Sequence, residues 1–122
     1  MNTKHDELSI LRQRALQFLV HSFLYYRLGE PVISDTFFDQ LTEELRSLRR
    51  NYPDAEMPYS ELIDPALGVE ASGFMIRSYP TPIVSAAFKL LYAMQGNENN
   101  ADFFEFAEQR GYQTLLHSEA KA

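Results

Sequence analysis

The chain contains no cysteine, so disulfides, thiolate metal sites and cysteine nucleophiles are excluded. Lysine is scarce: Lys4, Lys89 and Lys121 are all there is. With a formal charge of −6 and a pI near 5.0, the composition weighs against broad contact with a nucleic-acid backbone, which requires clustered basic side chains. The five glycines stand singly, and no glycine-rich phosphate loop is present. His5, His21 and His117 fall far apart without metal-ligand spacing, so no metal site is expected. The serines lie in no nucleophile-elbow motif. No apolar run approaches the length of a membrane span, and no apolar stretch follows a basic N-terminus. A cytoplasmic protein with no membrane partner is the expectation.

What is present is a helical pattern. At 122 residues, 45% of them hydrophobic and 13% aromatic, the chain is long enough to bury a core. One domain is expected over residues 1–117, with a disordered tail over 118–122. The predicted fold is mainly α: about four helices, with an irregular Pro- and Gly-containing crossing between the second and third. The first helix starts at a Thr3 or Asp6 cap and runs to about Leu28, with Leu8, Leu11, Ala15, Leu19 (or Phe18), Ser22 and Tyr26 at helical spacing. Its end, from Phe18 to Leu24, is apolar nearly all round and is expected to lie between neighbours or against a partner. The second helix spans about Asp35–Asn51, with Phe38, Leu41, Leu45, Leu48 and Tyr52 as its stripe, and Pro53 ends it.

Arg46, Arg49 and Arg50 complement the dipole of that helix's last turn; phosphate binding is the alternative. Pro53, Pro58, Pro65, Gly68, Gly73 and Pro80 break up the crossing, where a short strand is predicted at Phe74–Ile76. Thr81 and Pro82 read as the N-cap and first position of a third helix, about Ile83–Gln95, stopped by Gly96. After the polar run from Asn97 to Asn100, a fourth helix is expected over about Ala101–Arg110, ended by Gly111.

The stretch from Tyr25 to Asp39 organises the rest. Gly29 suits the left-handed position just past a helix end, and Pro31 forbids continuation. Ser34 is a good N-cap, which puts Asp35 in a first turn. Asp35, Phe38 and Asp39 are then i, i+3 and i+4 on one face, within reach of Tyr25 and Tyr26 across the turn. Two carboxylates beside two or three aromatic rings make a seat for a flat cation carrying hydroxyls. Each residue also has a purely structural reading. Phe38 opens the core stripe, Asp35 is a first-turn acid, and Tyr25 and Tyr26 cover a helix junction. Asp39 is hardest to explain that way, because its i+4 neighbour is another acid, Glu43.

These residues resemble the N-terminal subdomain, called domain Ia, of the adenylation domain of bacterial NAD⁺-dependent DNA ligases. The family pattern of a Tyr-Tyr or Tyr-His pair, a turn with Pro, Asp-x-x-Tyr-Asp-x-Leu, Glu-Leu and a final Pro is matched by Tyr25-Tyr26, Pro31, Asp35, Phe38-Asp39, Leu41, Glu44-Leu45 and Tyr52-Pro53. Weaker likeness continues through Arg77-Ser78-Tyr79-Pro80 and Asp102–Phe106. The resemblance implies a helical module that binds NMN (nicotinamide mononucleotide), or the NMN half of NAD⁺. Tyr25, Tyr26, Asp35, Phe38 and Asp39 would be its cofactor-binding residues. Phe38 replaces the family's Tyr, and Tyr26 stands where many members carry His; Arg27 and Arg77 are candidate substitutes as donors to the NMN phosphate.

No lysine lies in the family's Lys-x-Asp-Gly motif, so the chain is not expected to be a ligase by itself and no catalytic residue is assigned. The alternative is a regulatory module, such as a phage or mobile element could encode, that docks on a DNA ligase catalytic core or another protein. Either reading points to DNA replication or repair without direct nucleic-acid contact.

Overall fold

The computed structural model describes residues 3–68, 76–95 and 103–112. They form α1 (Thr3–Ser22), a π-helical turn (Phe23–Leu28), α2 (Asp35–Asn51), α3 (Ser60–Ala66), α4 (Thr81–Gln95) and α5 (Phe103–Glu108). The fold is mainly α, as the periodicities predict, and the described residues include no strand. Helix α1 packs on α2 and α4, and α4 packs on α5.

Two hydrophobic clusters hold these elements. The first gathers Leu11, Phe18 and Leu19 of α1, Leu45 of α2, and Ile63 and Ala66 of α3. The second gathers Phe23 and Leu24 of the π-turn with Val84, Phe88 and Leu91 of α4 and Phe106 of α5. Val20 and Tyr79 pack against both, so they mark the seam. The apolar end of the first helix is thereby explained: Phe18 and Leu19 face one cluster, Phe23 and Leu24 the other. All four are essentially buried. Truncating any of them costs about 2–5 kcal/mol.

Several sequence expectations are corrected. The first helix does not stay α-helical to Leu28; its last six residues are π-helical. A π-helix closes its hydrogen bonds five residues apart, one more than an α-helix. The helix begins at Thr3, so Asp6 is a first-turn acid rather than the cap. The crossing contains a helix, α3, that its prolines concealed. Tyr59 precedes it in the left-handed region at φ 57°, and Pro65 sits in its last turn. The burial of Ile63, Ala66 and Leu67 outweighs the hydrogen bond that Pro65 cannot donate.

At the start of α4, the Pro80 carbonyl accepts the first bonds, from Ile83 and Val84. Pro80 is therefore the cap, and Pro82 lies one position further into the first turn than predicted. In the expected strand, Ile76 has no regular structure, while Phe74 and Met75 lie outside the described residues. So do Gly96, the Asn97–Asn100 loop, Ala101 and Asp102 of the expected fourth helix, and the 118–122 tail. The described part of that helix ends at Glu108, and Gly111 follows at φ 84°.

Candidate functional site

The site region is built by two helix ends and the turn between them. Gly29 caps the π-turn at φ 65°, donating to the Leu24 carbonyl. The Glu30 N–H donates to the same carbonyl at 2.9 Å. A side chain at Gly29 would meet no neighbour within 4 Å, so glycine is required there for conformation alone. Ser34 is extended, and its hydroxyl accepts the Phe37 N–H at 3.1 Å, which caps α2 as predicted. Asp35 is then the first residue of α2, and Asp39 is one turn on.

Of the five residues singled out in the sequence, Tyr25, Tyr26 and Phe38 come together, and Asp35 and Asp39 lie on the same helix as Phe38. The rings of Tyr25 and Phe38 are nearly parallel, 14° apart with centroids 6.1 Å from one another. Tyr26 stands edge-on to both, at 4.7 Å from Tyr25 and 6.4 Å from Phe38. Phe18 stacks on Phe38 at 5.8 Å and extends the column into the first cluster. Sequence reasoning did not assign Phe18 to the site, although it lies two helical turns before Tyr25 and was part of the core pattern. Phe38 is half-buried against the first cluster, and Tyr25 is 39% exposed. Asp35 and Asp39 are exposed, and neither carboxylate finds a hydrogen-bond or ion-pair partner among the described residues. The structural and binding readings of Phe38 are therefore compatible: one side of its ring region is core, and the other is rim.

The arginines divide. Arg27 donates to the Ile76 carbonyl, which ties the π-turn to the segment leading into α4. It lies close enough to Tyr79 to affect that phenol's ionisation. Arg77 is exposed and lines a separate cleft of about 350 Å³ with Glu61, Ile76 and Ser78. Of the cluster ending α2, Arg49 makes a bidentate pair with Asp64, both bonds 2.9 Å, and donates to the Ala55 carbonyl at 2.7 Å. Arg46 donates to Leu67 and Glu43. Their donors are largely committed within the chain, which favours the structural reading over phosphate binding.

On the opposite flank of α2, a groove of about 340 Å³ is lined by Arg14, His21, Phe37 and Glu44, among others. Arg14 and Glu44 bridge it at 3.0 Å. Burial holds the His21 imidazole below its ordinary pKa of 6.5, and its Nδ1 has no partner among the described residues. Those residues contain no cluster of His, Asp and Glu suited to a metal ion, and no helix among them is long and apolar enough to cross a membrane.

Comparison with known proteins bears on the same residues. Residues 2–61 match the family described as DNA ligase-like, N-terminal NAD⁺-binding domain. The DNA ligase of Thermotoga neapolitana is 30% identical over 101 residues, which covers 83% of this chain and 13% of that protein. Its counterpart from Protochlamydia amoebophila is 35% identical over 69 residues, 55% of this chain and 10% of that protein. The DNA ligase of Symbiobacterium thermophilum is 48% identical over 40 residues, 33% of this chain and 6% of that protein. The chain thus spans 6% to 13% of these relatives. No solved structure matches. Over residues 2–61, which carry α1, the π-turn, α2 and the start of α3, the chain belongs to the DNA ligase-like N-terminal NAD⁺-binding domain family.

Proposed function

We propose that this chain is a nicotinamide-nucleotide-binding module, taking NMN or the NMN half of NAD⁺ at Tyr25, Tyr26, Asp35, Phe38 and Asp39. One observation supports the reading: two exposed carboxylates, without a partner among the described residues, lie one turn apart on the helix that carries Phe38 of the aromatic column. Oxidised nicotinamide is a planar cation, and aromatic faces attract such cations by about 0.5–2 kcal/mol. Carboxylates accept charge-assisted hydrogen bonds from ribose hydroxyls or the carboxamide, at about 1.5–3 kcal/mol each.

The residues fit the ligand with one adjustment. Atoms stack at about 3.5 Å, so a ring held between two others needs their planes about 7 Å apart. Tyr25 and Phe38 stand 6.1 Å apart by centroid. Phe38 is fixed by Phe18 and the first cluster, whereas Tyr25 is exposed, so Tyr25 is the ring that yields. The chain's own contribution is to hold the cation, orient the ribose and exclude water from one ring face. Arg27 and Arg77 are the candidate donors to the phosphate. The adenylyl-transfer chemistry of a ligase requires residues this sequence does not contain, so the module acts without catalysis of its own.

A second reading is favoured by a different observation: Phe37 is 65% exposed on the flank away from the acids. On that reading the chain docks through this flank on a ligase catalytic core or another protein. Calorimetric titration with NMN and NAD⁺ discriminates between the two. One stacked ring and a few hydrogen bonds, less the cost of association, give an affinity from about millimolar to tens of micromolar. Saturable heat is the result expected of the binding module; no heat at several millimolar ligand, together with retention on a ligase core lacking its own N-terminal subdomain, favours docking.

A further inference from the structure

Arg110 lies 80 residues beyond Glu30 in sequence, outside the family-matched segment, yet the two side chains meet in a bidentate pair. Nε donates to Oε2 at 2.7 Å, and Nη2 donates to Oε1 at 2.8 Å. Both partners are largely screened from solvent, with side-chain exposures of 20% and 29%. Two parallel bonds fix orientation as well as distance, which a single contact does not.

Arg110 is itself held at its side chain and Glu30 at its backbone. The Arg110 guanidinium lies 3.8 Å over the Phe106 ring, and its Nη1 donates to the Phe106 carbonyl at 3.1 Å. Phe106 is buried in the second cluster. At the other end, the Glu30 N–H donates to Leu24, whose carbonyl also accepts from Gly29. Gly29 is left-handed on one side of Glu30, and Pro31 restricts φ on the other. A shift of Glu30 therefore carries the end of the π-turn with it, and that turn bears Tyr25 and Tyr26. The side chain that meets Glu30 comes from Arg110, two residues past the end of α5.

We infer that Arg110, acting through Glu30, is a positioning residue for the Tyr25–Tyr26 pair, so that the C-terminal segment sets the geometry and the ligand affinity of the aromatic site. The ligand half of this inference rests on the nicotinamide reading proposed above; the positioning half does not. It predicts that the contribution of the Arg110–Glu30 pair is specific to the site, whereas Phe106 and Ala107 serve the core. The molecule contains a control. Arg49 and Asp64 form a second bidentate pair, at the far end of α2, with no link to the π-turn.

The test uses Glu30→Gln, Arg110→Gln, the exchanged pair Glu30→Arg/Arg110→Glu, and Arg49→Gln. NMR reads the Tyr25–Phe38 ring contact without ligand, and titration reads NMN affinity. Glu30→Gln and Arg110→Gln are expected to weaken or lose the ring contact and to lower NMN affinity by about fivefold or more. The exchanged pair is expected to recover part of both. Arg49→Gln is expected to lower thermal stability while leaving both at wild type. Glu30→Gln, nearly isosteric, serves if Arg110→Gln fails to fold. The inference is overturned if both single variants keep the wild-type ring contact, or if Arg49→Gln disturbs it equally. Should the wild type not bind NMN at all, the nicotinamide reading fails, and the ring contact alone still decides whether Arg110 positions the tyrosines.

Discussion

The cluster beneath α2 and the cluster around α4 are built on opposite patterns. Helix α2 buries a single residue completely, Leu45; the rest of its stripe is half-buried, and its flanks are polar. Helix α4 buries Ile83, Val84, Ser85, Ala87, Phe88 and Leu91 and is covered by the π-turn and α5. A narrow stripe leaves an aromatic ring at its edge, next to whatever the neighbouring positions carry. In α2 those positions are Asp35 and Asp39 beside Phe38. A broad apolar face closes over its rings, as α4 does over Phe88 at 0% exposure. A polar, cationic ligand can be received by the first arrangement and not by the second. The π-turn packs Phe23 and Leu24 into the second cluster, while its Tyr25 and Tyr26 stand against Phe38 at the edge of the first.

The comparison can be broken most forcefully in the second cluster. Phe88→Ala is expected to cost about 3–5 kcal/mol, and Phe18→Ala about the same. Because Val20 and Tyr79 pack on both clusters, each variant is expected to unfold in one transition. Urea melts followed by a probe in each cluster check this; two separated midpoints would show that the seam does not couple them.

Next in size is the ligand contact at the rim. Asp39→Asn is expected to weaken NMN binding by about 1.5–3 kcal/mol while leaving stability within about 0.5 kcal/mol of wild type, because the carboxylate is exposed and has no partner among the described residues. Smaller effects belong to the turn. Ser34→Ala removes the α2 cap and Gly29→Ala forces a side chain into the left-handed region; each is expected to lower stability by about 1 kcal/mol in chemical denaturation.

A further set of effects comes from pH. At the seam, burial pushes the Tyr79 phenol from its ordinary value of 10.0 up to about 12. The folded chain keeps this proton after the unfolded chain has lost it, so stability is intact below pH 10 and declines as the pH rises toward 12. Tyr79→Phe is expected to flatten that decline, read from urea midpoints between pH 9 and 11. At the other end, Arg110 holds the Glu30 carboxyl below its ordinary 4.5. The contribution of that pair is therefore present above pH 4.5 and lost as the pH falls through the depressed value, a loss that Glu30→Gln is expected to abolish.

Much of this was legible in the sequence, and the boundary has physical causes. The α2 stripe, the Ser34 cap, Gly29 and the approach of Tyr25 and Tyr26 to Phe38 follow from local rules: 3.6-residue spacing, capping and glycine's conformational range. Helix α3 was hidden because Pro58 and Pro65 mark turns by local preference, while burial of Ile63 and Ala66 decides otherwise. The π-turn was hidden because a residue inserted into a helix leaves the composition unchanged. The Glu30–Arg110 pair left no trace, since 80 residues separate its members and neither sits in a local pattern.

One titration bears most directly on the site: NMN added to several millimolar, against wild type and Asp39→Asn, with the ring signals of Tyr25 and Phe38 followed. Saturable binding that displaces Tyr25 more than Phe38 and weakens in Asp39→Asn is the expected result. Absence of binding to the wild type, or equal binding to the Asp39→Asn variant, would contradict the assignment of this aromatic and acidic rim as a nicotinamide-nucleotide site.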